Sequence, residues 1–95
     1  MAYDQGRGVM SVRVTIEAAS KAEAELIAQR LPVKARAESW RGLGVIRLEA
    51  KSRKETEDFI KAVSRSFEEH RLHWARVRYD DEERVFRTGN GHRAG

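Results

Sequence analysis

The sequence predicts an α+β sandwich, and three observations carry that expectation. Residues 13–25 (RVTIEAASKAEAE) align without a gap on residues 45–57 (VIRLEAKSRKETE), with Glu17/Glu49, Ala18/Ala50, Ser20/Ser52, Glu23/Glu55 and Glu25/Glu57 identical. Each copy alternates apolar and polar residues and then meets a Ser-x-x-Glu capping box, the signature of a strand entering a helix. After each helix the chain alternates again, so the element order is β-α-β-β-α-β.

Residues 9–18 read as the first strand, with Val12, Val14 and Ile16 on one face and Ser11, Arg13, Thr15 and Glu17 on the other. Ser20 and Glu23 cap the first helix, which carries Leu26, Ile27 and Leu31 and ends at Pro32, whose ring cannot continue it. Residues 33–40 alternate as a second strand. Residues 41–44 (RGLG) form a turn, and residues 45–51 a third strand with Ile46, Leu48 and Ala50 inward. Ser52 and Glu55 cap the second helix, where Thr56, Phe59, Ile60, Val63 and Phe67 make one apolar stripe that fades near His70. Residues 74–79 are the fourth strand, 80–83 (DDEE) an acidic turn, and 84–87 a candidate short fifth strand.

Two right-handed βαβ halves in this order give a ferredoxin-like sandwich: a four-stranded antiparallel sheet in the order 4-1-3-2 with both helices on one face. The domain spans residues 9–87, between an N-terminal tail (1–8) expected to be flexible and a Gly-containing C-terminal tail (88–95) expected to be disordered.

The 95 residues suffice for one domain with one modest core. There is no cysteine, which excludes disulfides, thiolate metal sites and a cysteine nucleophile. No apolar run approaches the roughly 20 residues that span a bilayer, and residues 1–10 lack the apolar stretch of a secretory signal, so a cytoplasmic location is expected. The net charge is +4, and Arg makes up 14 of the 19 basic residues, a bias that suits bidentate phosphate contacts and stacking on flat rings.

Strand parity names the residues on the sheet face that the helices leave uncovered. They are Arg13, Thr15 and Glu17; Lys34, Arg36, Glu38 and Trp40; Val45, Arg47 and Glu49; and Trp74, Arg76 and Arg78. Six cations stand against three carboxylates, with a Trp on each outer strand. Arginines neutralise phosphate and aromatic rings stack on bases, so the expected function is a non-catalytic module for RNA or another single strand.

Residues 41–48 (RGLGVIRL) resemble the octamer on the third strand of the RNA recognition motif, K/R-G-F/Y-G/A-F/Y-V/I/L-x-F/Y, through Arg41, Gly42, Gly44 and Ile46. The resemblance implies RNA binding and makes Arg41 a phosphate contact. Leu43, Val45 and Leu48 replace the family's aromatics, and the first strand carries none, so the resemblance is to a degenerate member that relies on Arg and Trp. The chain is also similar in length and element order to the small dimeric subunit of the KEOPS tRNA-modification complex, with an apolar strand ending in Ala (48–50) before the second helix. That likeness implies the alternative: a protein-interaction or assembly subunit that dimerises or docks through the same sheet face or its edge.

Catalytic patterns are absent from the sequence. No nucleophile elbow, P-loop or dinucleotide fingerprint occurs. His70 and His73 straddle a helix end without a third ligand, so no metal site is expected. The pairs Glu23/Glu25 and Glu55/Glu57 sit in helix first turns, where solvent denies them the burial that acid–base work requires. Neither an enzyme nor a cofactor is expected.

Overall fold

Both copies of the repeat fold as a strand feeding a capped helix. A computed structural model describes residues 11–88. Its elements are β1 (Val12–Ala18), α1 (Lys21–Arg30), β2 (Glu38–Trp40), β3 (Leu43–Ala50), α2 (Arg53–Glu69), β4 (Trp74–Tyr79) and β5 (Glu82–Arg87). The fold is α+β, with two helices and an open five-stranded antiparallel sheet. The expected tails, apart from Thr88, and the first residues of the strand expected from 9 lie outside the described residues.

The four-stranded sheet in the order 4-1-3-2 is corrected to five strands in the order β2-β3-β1-β4-β5. The difference is β5, a full strand hydrogen-bonded along the whole of β4. The turn before it is only Asp80–Asp81, with Asp80 at φ 52, rather than the four acidic residues 80–83. β5 is held from below by Phe86, whose ring stacks on Phe67 of α2 at 5.8 Å between centroids.

The second strand is also corrected. Residues 33–37 alternate in burial but form no ladder, and β2 pairs with β3 only at Glu38↔Val45, Ser39↔Gly44 and Trp40↔Leu43. Val33 and Ala35 pack against the core from an irregular segment running beside α1. Alternation reports which side of an extended chain is covered, and a helix covers it as well as a sheet does. The β2–β3 connection is a two-residue turn in which Arg41 (φ 51) and Gly42 (φ 83) both have positive φ, the geometry that matches strand twist in a tight hairpin.

Ser20 accepts a hydrogen bond from the Glu23 amide (3.2 Å) and Ser52 from the Glu55 amide (3.1 Å), so both N-caps form. The return halves of the two capping boxes differ. Glu55 accepts from the amide of Lys51 (2.7 Å), whereas Glu23 reaches across the molecule to the start of β4. There its carboxylate accepts from the His73 amide (2.8 Å) and meets His73 Nδ1 at 2.5 Å. α1 ends at Leu31, which the following Pro32 drives into an extended conformation (φ −68, ψ 145). Arg30 and Glu69 pair across the ends of the two helices.

One core lies between the helices and one sheet face. Val14, Ile16 and Ala18 of β1, Ile46 of β3 and Val77 of β4 meet Ile27 of α1 and Phe59, Ile60 and Val63 of α2. Each large apolar side chain fully buried there contributes about 1.5–3 kcal/mol. Thr56 and Ser66 are the polar residues in this layer, and each hydroxyl donates to a carbonyl one turn back, Ser52 and Ala62 respectively. Among the described residues no helix is long and apolar enough to cross a membrane.

Tyr79 joins this core from the end of β4. Burial, reinforced by the Glu82 carboxylate opposite it, pushes its hydroxyl above the ordinary 10.0. A raised pKa means the unfolded chain loses this proton first. Stability from Tyr79 is therefore complete below pH 10.0 and is lost as pH rises through the higher folded value. Chemical denaturation between neutral and strongly alkaline pH should show this decline, and Tyr79→Phe should flatten it. An equal decline in that variant refutes the assignment.

Candidate nucleic-acid interface

Register sorts the open face into rows that run across the strands. At one end, Trp40 of β2 lies opposite Leu43 of β3, and Trp74 of β4 lies opposite Arg87 of β5. The next row is Glu38–Val45–Glu17–Arg76–Val85, and the one beyond it Arg47–Thr15–Arg78–Glu83. Arg13 and Glu49 close the far end. The burial pattern agrees with this sorting, since Val14, Ile16, Ala75 and Val77 are buried on the other side.

Seven of the nine residues expected on the interface lie on this face or its hairpin turn: Arg13, Trp40, Arg41, Arg47, Trp74, Arg76 and Arg78. Lys34 and Arg36 do not. They belong to the segment between α1 and β2 and line hollows against Ala28 and Gln29 of α1, on the helix side of the sheet edge. Parity puts them on the face only for a strand that begins at residue 33, and β2 begins at Glu38.

β5 brings three further residues onto the face: Glu83, Val85 and Arg87. Their alternation is visible in the sequence, but the acidic run 80–83 reads as a turn and hides the start of the strand. The strands of this face therefore carry five arginines (Arg13, Arg47, Arg76, Arg78, Arg87) and four glutamates (Glu17, Glu38, Glu49, Glu83), not six cations against three carboxylates.

Several of these charges are already paired. Arg47 donates to Glu38 at 3.1 Å, and Glu17 lies 3.5 Å from Arg76 and 3.6 Å from Arg78. Glu83 stands 3.9 Å from Arg76, too far to hydrogen-bond, and Arg76 Nε is buried without an acceptor among the described residues. Val45 sits between Glu38 and Glu17 and is only 4% exposed, so it forms a small apolar seal on the open face.

The face is divided by chemistry. In one half Arg13, Arg47 and Arg78 line a single shallow hollow around Thr15, with Tyr79 and Asp80 at its rim. Arg47 and Arg78 flank Thr15 directly, on β3 and β4. In the other half are the two tryptophans. Trp40 is 49% exposed and carries the Arg41 guanidinium 5.0 Å from its ring centre. Trp74 is half-buried, with Arg76 5.9 Å from its ring centre. Three strand spacings separate β2 from β4, which sets the backbones that carry the two rings roughly 14 Å apart.

Among the described residues no three His, Asp or Glu side chains gather where they could hold a metal ion. No family model, curated protein or solved structure matches the chain.

Proposed function

We propose that this protein is a small non-catalytic module on a ferredoxin-like frame that binds single-stranded nucleic acid, RNA foremost, through the open face of its sheet. The observation that carries the reading is the convergence of Arg13, Arg47 and Arg78 around Thr15, on the same face as the two tryptophans. The arginines contact phosphates. Trp40 and Trp74 stack on bases, and Arg41 serves as the phosphate contact that the RNA recognition motif resemblance assigns to it.

The Arg47–Glu38 pair does not obstruct such a role. Arg47 and Glu38 are both largely exposed, and exposed pairs are worth about 0–1 kcal/mol. Phosphate offers Arg47 a bidentate charge-assisted contact and its binding releases counterions from the strand, so it competes with the carboxylate.

Four phosphate contacts (Arg13, Arg41, Arg47 and Arg78) give a salt slope of about −2.8 on a single strand, so affinity should fall about fiftyfold between about 50 mM and about 200 mM salt. Fluorescence anisotropy with a short labelled oligoribonucleotide measures this directly. Absence of binding at low salt, or binding indifferent to salt, sinks the proposal.

The cross-strand ion pairs favour a second reading, an assembly subunit. A nearly balanced face with an exposed Trp40 at its edge also suits a protein partner, where Trp and Arg are favoured anchors. Failure of the oligonucleotide titration would leave that reading in place.

A further inference from the structure

The outer edge of β5 is self-complementary. We infer that two copies of this chain pair antiparallel through Glu82–Arg87, about a two-fold axis at Val85, and so join their sheets into one.

Backbone alternation is the first reason. The Thr88 amide donates inward to the His73 carbonyl, so the even-numbered residues of β5 face β4 with their N–H and C=O groups. The N–H and C=O groups of Glu83, Val85 and Arg87 consequently point away from the sheet and lack a ladder partner among the described residues. The strand is six residues long, contains no Pro, and is exposed along nearly its whole length. An edge of this kind is a template for another strand.

Side-chain pattern is the second reason. Two-fold antiparallel pairing at Val85 sets Val85 against its own copy and Glu83 against Arg87 of the second copy, twice by symmetry. All of these side chains lie on the open face. Val85 is 49% exposed in the single chain and is one of the two large apolar residues so exposed among those described. On the helix side the same register places Arg84 beside Phe86 of the second copy. Moving the axis to Arg84 opposes two arginines; moving it to Phe86 loses both Glu–Arg pairs. The register at Val85 also brings together the outward-facing backbone groups, for about six main-chain hydrogen bonds. Glu83 is free to take the new partner because its distance to Arg76, 3.9 Å, exceeds a hydrogen bond.

The inference concerns the sheet edge and does not depend on what binds the face. Sedimentation equilibrium of the full chain should show a reversible dimer at micromolar concentration. Glu83→Arg and Arg87→Glu each place like charges opposite one another twice, and each should weaken the dimer about tenfold or more. Mixing the two variants restores both charge pairs, so an equimolar mixture should form a heterodimer about as stable as the wild-type dimer. Val85→Pro removes only an outward-facing amide, which an edge strand tolerates, and should yield a folded monomer by circular dichroism. A monomer at every concentration, a dimer indifferent to these changes, or a mixture that fails to recover overturns the inference.

Discussion

Gly44→Ala is expected to destabilise the fold by about 1–3 kcal/mol or more, through overpacking rather than backbone strain. A Cβ at Gly44 would lie 2.3 Å from the Ser20 carbonyl oxygen, 2.6 Å from Ala24 Cβ and 2.8 Å from Lys21 Cα. These atoms are backbone or backbone-adjacent, so no flexible side chain can swing aside. The Ser20 carbonyl also accepts the Ala24 amide (3.0 Å), the bond that opens α1. A methyl group there must lift the start of α1 off β3 or break that first turn. Total stability for a domain of this size is roughly 5–14 kcal/mol, so the loss is a substantial fraction. Thermal or urea denaturation measures it, with a fall in Tm of about 4–8 °C per kcal/mol. Gly42→Ala is the contrast. Its Cβ would meet nothing within 4 Å, and only the positive φ of 83 opposes it, at about 1 kcal/mol. Equal effects at the two glycines would show that α1 does not press on β3 as described.

This pair of glycines shows where sequence reasoning reached and where it stopped. Both fall in the turn expected at residues 41–44. Gly42 is a turn residue, but Gly44 belongs to β3, and its job is to let a helix approach. Close approach between elements distant in sequence leaves no local signal. The repeat was legible because its parts are local: alternation marks β1 and β3, and Ser20 and Ser52 cap helices within a few residues of themselves. The identical Glu23 and Glu55 then part company. Glu55 stays near its own cap, while Glu23 ties α1 to His73, a partner 50 residues away that only the folded chain supplies.

The candidate face follows the same division. Parity correctly set Arg13, Arg47, Arg76 and Arg78 on one side, because period 2 is a local property. It could not register that Glu38 and Glu17 bridge to three of those arginines, nor that β5 would carry Glu83 and Arg87 onto the face. Counting charges by parity overstated the positive potential, because neutralisation depends on cross-strand neighbours. What survived is a local concentration of charge around Thr15 rather than a uniformly basic sheet.

Arg47→Ala and Arg78→Ala should each weaken binding of a short single-stranded RNA about tenfold at low salt, the lower range for a bond to a charged group. Each should also reduce the salt slope by about 0.7, because one counterion-releasing contact is gone. Trp40→Ala should behave differently. Losing a stacked base costs about 1–3 kcal/mol but releases no counterion, so affinity drops while the slope holds. Lys34→Ala and Arg36→Ala remove the same charge from the protein without touching the hollow, and should change affinity far less than Arg47→Ala. The comparison separates a site from a mere net charge. If all four cation deletions act alike, binding is diffuse attraction to a basic protein, and the arrangement around Thr15 has no part in it. A fall confined to Arg47 and Arg78, with unaltered slope for Trp40→Ala, would assign phosphate to one half of the sheet and bases to the other.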